Sequence, residues 1–266
     1  MVDDHCHYLS AVLAAANFPR DNIKKVPVEG VQGSFILENV LSKEECEVIM
    51  QAVRNLTESD PKYLAGLQDD TMDDSMPESD RRRRKSQHHT PCYVEDGVLA
   101  NLLRPHLPEF AGPKNKAILA DFPLSNFLRC YDYHTGDFSM PHFDRSFSHH
   151  EQCSIDTKSR HGGRLVGFTA YSVLLYLNDD FEGGYTSFFP VESISAVARS
   201  SRGNSPKEIL PDSPRITVVP RQGDVLVFPH GRQSGCHPDP LHEGSIVTSG
   251  RKTIIRTDVN YCVPSV

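Results

Sequence analysis

Long apolar runs are missing from this sequence. The longest clean stretch is Val173 to Leu177, far short of the roughly 20 residues that a membrane-spanning helix needs. The start, Met1-Val-Asp-Asp-His-Cys-His7, has neither the basic n-region nor the apolar h-region of a secretory signal. The chain therefore reads as soluble and intracellular: cytoplasmic, with a nuclear location also open, and with no membrane partner. Cys-x-x-Cys pairs are missing too. The seven cysteines, at 6, 46, 92, 130, 153, 236 and 262, are odd in number and scattered, which argues for reduced thiols and against a disulfide framework or a zinc ribbon. No Gly-x-x-x-x-Gly-Lys, Gly-x-Gly-x-x-Gly, His-Glu-x-x-His or Gly-x-Ser-x-Gly occurs, so phosphate loops, dinucleotide fingerprints, zincins and hydrolase elbows leave no trace. Positive charge is in short supply. The 28 Lys and Arg against 35 Asp and Glu give a net charge of −7, so a general nucleic-acid coat is not expected.

What is present is a core wrapped in polar chain: 38% hydrophobic residues in 266, with 17 Gly and 19 Pro, point to long polar loops around one packed unit. Ser42 followed by Glu45 is a capping box, and Cys46, Ile49, Met50 and Val53 then recur at helical spacing, which predicts a helix over 43–56. From Gln68, six acidic residues precede the basic run Arg81–Lys85 with almost no apolar anchor, so 68–90 reads as a solvated loop. A second helix is predicted over 96–103, ending before Pro105. From about Lys116 the texture changes to short β-like runs at 127–133, 168–177, 186–189, 216–219, 224–228 and 252–259, with turn-rich pieces between them. Polar insertions at 145–165 and 191–215 have the length of lids. The class expected is α+β: an N-terminal extension (1–32), a helical support region (33–118) and a β-sandwich or barrel-like core (119–262).

Metal-ligand candidates begin with His142 and Asp144, which on a strand point to one face. Chance alone supplies about one His-x-Asp in such a chain, and a second does occur at His237-Pro-Asp239, so context has to decide. Three histidines compete for a third ligand: His230, His237 and His242. Only His242 is followed by an apparent strand, 251–259, that can run back along the core. His142, Asp144 and His242 together make the two-His, one-carboxylate set that holds Fe(II) and leaves one face of the ion open. Lys252 and Arg256, four apart on that last strand, project to one side, and a buried cation implies an anion. Asp258 is the internal partner available to Arg256, while Arg129 reads as a surface salt-bridge residue.

These residues resemble the Fe(II)/2-oxoglutarate dioxygenases of the prolyl 4-hydroxylase type. Tyr133-His-Thr-Gly136-Asp-Phe-Ser-Met-Pro-His142-Phe-Asp144 is similar to the stretch that leads into the family's His-x-Asp. Leu174-Leu-Tyr176-Leu-Asn178 with Gly183-Gly184-Tyr-Thr186-Ser-Phe188 resembles its central strands, and Pro220-Arg-Gln-Gly223-Asp-Val-Leu-Val-Phe228, His242-Glu-Gly244 and Lys252 follow in order. The likeness covers about 120–262, with 35–46 similar to the lead-in strand and helix. It implies a double-stranded β-helix, or jelly roll, with iron on His142, Asp144 and His242. It further implies 2-oxoglutarate anchored by Lys252, with Arg251 and Arg256 as rival cations and Tyr133, Tyr176 and Thr186 as hydroxyl contacts. Oxygen is the co-reactant and ascorbate an additional cofactor. The reaction implied is hydroxylation of a C–H bond in a protein residue or small molecule as 2-oxoglutarate is decarboxylated to succinate. Two rivals are a nucleic-acid demethylase of the same chemistry, favoured only by Arg81–Lys85, and a non-catalytic jelly-roll binding or sensing module.

Overall fold

Ser42 caps its helix as its context predicts. The Ser42 hydroxyl accepts from the Glu45 N–H at 3.2 Å while Glu45 accepts from the Ser42 N–H at 2.7 Å, and helix α2 (Lys43–Ser59) extends a turn beyond the predicted end. In this computed structural model the described residues are 2–15, 22–60, 89–94, 103–109, 118–149, 165–190, 215–230 and 238–264. The N-terminal extension expected over 1–32 opens with a helix. Helix α1 (Val2–Ala15) forms there, because Leu9 and Leu13, one turn apart, are both fully buried against the core. Of the helix predicted over 96–103, only Leu103 is described. The chain does not stop before Pro105 but turns through it in a 3-10 helix (Arg104–His106), at a first-turn position where proline's missing N–H costs nothing.

The strands, in chain order, are β1 (Lys24–Pro27), β2 (Phe35–Glu38), β3 (Thr90–Tyr93), β4 (Ile118–Leu124), β5 (Phe127–Tyr133), β6 (Ser139–His142), β7 (Ser148–His149) and β8 (Leu165–Tyr176). They continue with β9 (Glu182–Gly183), β10 (Thr186–Phe189), β11 (Ile216–Val218), β12 (Val225–Pro229), β13 (Leu241–Gly244), β14 (Val247–Ser249) and β15 (Lys252–Pro264). A large sheet has the order β1-β2-β12-β8-β15-β5-β3, with β4 on β15 and β7 on β8. A small sheet has the order β11-β10-β13-β6. Every pairing described is antiparallel.

Period-two alternation divides the large sheet's side chains between two cores. Val173, Leu175, Val225, Val227 and Ile255 face Leu9, Leu13, Ile49, Val53 and Leu56 of the two helices. Leu174, Tyr176, Leu226, Phe228 and Ile254 face the other way and pack with Phe188 and Val218 of the small sheet. The molecule is thus an α+β jelly roll: helices behind one sheet, a second sheet in front, and an interior between the sheets. Of the central strands, β12 is apolar on both faces, whereas β8 and β15 set buried polar residues such as Ser172, Lys252 and Asp258 among their apolar ones.

The thiols follow the reduced expectation in part. Cys6, Cys46, Cys92 and Cys130 are free, whereas Cys262 is disulfide-bonded, which corrects that reading; Cys153 and Cys236 lie outside the described residues. The polar loop at 68–90 lies outside them too, apart from His89 and from Thr90, which opens β3, and so do most of the insertions at 145–165 and 191–215. Among the described residues no helix is long and apolar enough to cross a membrane.

Candidate active site

Sheet register brings the ligand candidates together. His142, the last residue of β6, stands directly opposite His242 of β13 in the antiparallel pair, and their rings lie 4.3 Å apart. His242 is therefore on a strand, not merely ahead of one. Asp144 falls two residues past the end of β6, and its side chain still points to the same side. Its Oδ1 is 3.4 Å from His142 Nε2 and its Oδ2 3.6 Å from His242 Nε2. The three ligand atoms lie within 4.8 Å of one another, the one such cluster of His, Cys, Asp and Glu among the described residues. His237 lies outside the described residues, and His230 sits elsewhere, buried behind Asp144.

The tautomers suit a metal. His142 Nδ1 lies 2.7 Å from the Met140 carbonyl and His242 Nδ1 3.1 Å from the Pro240 carbonyl. A carbonyl only accepts, so each Nδ1 carries the proton and each Nε2 keeps its lone pair for the cleft. Burial and the neighbouring His142 ring bring His242 down to about 3, which keeps it neutral. Burial works against charge on Asp144, but Arg256, His242 and His142 outweigh it and hold the carboxyl well below its usual range. Two imidazoles and one carboxylate form a donor set that fits Fe(II).

The ligands open onto a cleft between the sheets, of about 420 Å³ including the space at its mouth. Tyr131, Tyr133, Leu174, Phe228 and Ile254 line it, with Ser139 and Glu243 as further polar groups that the sequence reading missed. Lys252, from the start of β15, lies in its wall. The side chain is 3% exposed, and Nζ donates to the Gly184 carbonyl at 2.5 Å, with the Tyr133 and Tyr176 rings 5.5 and 5.8 Å away. Among the described residues no carboxylate meets it, and burial brings the ammonium down to about 7. Gly184 is required here: its φ is +63°, and a Cβ would lie 3.1 Å from Lys252 Cδ and 2.9 Å from Phe181.

The other predicted contacts separate. Thr186 and Tyr133 line the cleft, whereas Tyr176 stands behind Thr186, its hydroxyl 2.9 Å from Thr186 Oγ1. Arg256 also lines the cleft, but its guanidinium is engaged by carboxylates, 3.0 Å from Asp144 Oδ2 and 3.4 Å from Asp258 Oδ1. Arg251 points away and pairs with Asp132 and Glu58. Arg129 is not a surface residue: 6% exposed, it meets Asp258 at 2.9 Å in a buried ion pair, because β5 places it beside β15 in the sheet interior. Ser172, also missed, donates to Asp144 Oδ2 at 2.6 Å. A signal for it existed, since residues 172, 174 and 176 alternate onto the same face of β8.

No family model matches the chain. A protein of Acanthamoeba polyphaga mimivirus with the provisional name prolyl 4-hydroxylase is 27% identical over 227 residues, covering 83% of this chain and 71% of its own length. Prolyl 4-hydroxylase 1 of Arabidopsis thaliana is 24% identical over 237 residues, 87% of this chain and 70% of its own. Among solved structures, the viral collagen prolyl hydroxylase of Paramecium Bursaria Chlorella virus-1 aligns with a TM-score of 0.44 at 14% identity, over 85% of this chain and 95% of that one. A Pseudomonas putida prolyl 4-hydroxylase aligns with a TM-score of 0.41 at 15% identity, over 94% and 91%. By a likeness that spans most of the chain, together with the ligand set gathered between its sheets, the protein is similar to the 2-oxoglutarate/Fe(II) oxygenases of the prolyl 4-hydroxylase-like type.

Proposed function

We propose that the cleft holds one Fe(II) on His142 Nε2, Asp144 and His242 Nε2, takes 2-oxoglutarate with its far carboxylate on Lys252, and hydroxylates an unactivated C–H bond of a protein residue or small molecule. The observation that carries this reading is Lys252: a buried ammonium, with no carboxylate beside it among the described residues, in the same cleft as a two-His, one-carboxylate cluster. A charge so placed is costly unless an anion arrives. When bound, iron and 2-oxoglutarate supply the oxidation, one oxygen atom of O2 entering succinate as CO2 leaves and the other entering the product.

The chain's own residues do the rest. Lys252 pairs with the distal carboxylate, and Thr186, backed by Tyr176, offers a hydroxyl beside it. Leu174, Phe228 and Ile254 exclude water from one wall, which strengthens each polar contact inside. Arg256 serves Asp144 and leaves Lys252 as the anchoring cation. The relatives' names favour a peptide substrate over a nucleic acid, and a cytoplasmic location and a need for ascorbate are further parts of the proposal.

The test is aerobic incubation with Fe(II) and 2-oxoglutarate, following succinate, with and without ascorbate, first alone and then with peptide and metabolite pools. Succinate release that Asp144→Ala abolishes is the expected result. Wild-type protein that releases none under any of these conditions would favour the non-catalytic module.

A further inference from the structure

Behind Asp144 the jelly roll buries polar side chains where apolar ones would cost less. Thr169 and Ser172 of β8 and His230, one residue past β12, are at most 1% exposed. They join end to end. The Phe147 N–H donates to Thr169 Oγ1 at 3.0 Å, Thr169 Oγ1 lies 2.9 Å from His230 Nε2, His230 Nδ1 lies 2.7 Å from Ser172 Oγ, and Ser172 Oγ reaches Asp144 Oδ2 at 2.6 Å.

The proton directions follow from one end. An ionised carboxylate only accepts, so the Ser172 proton goes to Asp144. The Ser172 oxygen then accepts from His230, which places a proton on Nδ1 and leaves Nε2 as the acceptor for Thr169. The Thr169 oxygen is filled by the Phe147 N–H. One arrangement of protons satisfies all four links. Arg256 closes the group, donating to Asp144 Oδ2 and, at 3.3 Å, to Ser172 Oγ. Asp144 Oδ2 thus has two donors from the interior while lying 3.6 Å from His242 Nε2, and Oδ1 is the oxygen that faces His142 Nε2.

We propose that Thr169, His230 and Ser172 form a positioning relay that holds Asp144 in a fixed rotation with Oδ2 committed inward, and that His230 acts through its Nδ1–H donor. The relay rests on the reading of Asp144 as a metal ligand. Its function is preorganisation: a carboxylate already turned to the ion needs no reordering on binding, and partners that orient metal ligands in this way typically govern affinity.

The experiment is Co(II) titration of the full-length apo-protein, followed by calorimetry and visible absorption, so that no turnover is needed. Ser172→Ala and His230→Phe weaken Co(II) binding by about 10–100-fold and alter its visible spectrum. His230→Asn, whose amide keeps a donor near the Nδ1 position, stays within about threefold of wild type. Thr169→Val, which breaks the far end of the relay, gives a smaller loss and stands in should Ser172→Ala not fold. Ile255→Val, on the opposite face of the sheet, lowers stability without changing Co(II) affinity. Wild-type affinity and spectrum in Ser172→Ala and His230→Phe would overturn the relay, and so would a His230→Asn variant as weak as His230→Phe. A wild-type protein that bound no Co(II) would remove the metal reading itself, and the relay with it.

Discussion

Replacing Lys252 with methionine tests the anchoring cation through two effects of opposite sign. Burial brings the ammonium from 10.5 to about 7, a difference that corresponds to roughly 5 kcal/mol of destabilisation when the group is fully charged. Between those two values the unfolded chain binds more protons than the folded one. Stability therefore rises with pH across the window, and the whole deficit is present below it. Methionine has a similar length and no charge, but it leaves the Gly184 carbonyl without its donor, at a cost of about 1–3 kcal/mol. The ligand-free Lys252→Met protein should therefore be more stable than wild type by roughly 2–4 kcal/mol at pH 6, an advantage that fades toward pH 10. Binding should change the other way. Loss of a charge-assisted contact worth about 1.5–3 kcal/mol weakens 2-oxoglutarate by about 10–150-fold. The assay is anaerobic calorimetry on Mn(II)-loaded protein at pH 8 in buffers of different ionisation enthalpy, alongside denaturant melts. Wild type, mostly neutral at Lys252 at that pH, should take up nearly one proton for each 2-oxoglutarate bound, and the variant none. Equal affinities, equal proton counts and parallel stability curves would refute the reasoning.

Other perturbations separate scaffold from site. Ser42→Ala removes the hydroxyl half of the capping box, leaving the residue-42 N–H on Glu45, and should cost about 1 kcal/mol in a denaturant melt, with 2-oxoglutarate affinity unchanged. Gly184→Ala puts a methyl group against Lys252 Cδ and Phe181 at a positive φ, so it should weaken 2-oxoglutarate binding while leaving Co(II) affinity near wild type. Arg129→Met strips a buried partner from Asp258 and should destabilise the fold by about 3–5 kcal/mol, read as a lower denaturation midpoint.

Much of the scaffold is legible in the sequence because its signals are local. β5 and β10 have the boundaries that their β-branched and aromatic runs predict, and the capping box announces α2. The site's own strands are harder to read. β6 and β13, Ser-Met-Pro-His and Leu-His-Glu-Gly, carry the ligands in place of alternating apolar residues, so the chemistry removes the pattern by which a strand is recognised. α1 is obscured by its acidic and histidine-rich first turns, and only Leu9 and Leu13 mark its buried face. Arg129 looks like a surface residue by itself, and nothing local marks Ser172 and His230 as parts of one buried group. Their burial depends on pairings such as Arg129–Asp258, 129 positions apart, which only the sheet register brings about.

The central claim is that a single metal ion sits between His142, Asp144 and His242 with 2-oxoglutarate reaching Lys252. A crystal structure of the protein grown anaerobically with Fe(II) and 2-oxoglutarate, with anomalous data collected at the iron edge, tests it most directly. The account predicts one anomalous peak bonded to the two Nε2 atoms and the Asp144 carboxylate, with the far carboxylate of 2-oxoglutarate on Lys252 Nζ. A peak elsewhere, or 2-oxoglutarate turned away from Lys252, would contradict it.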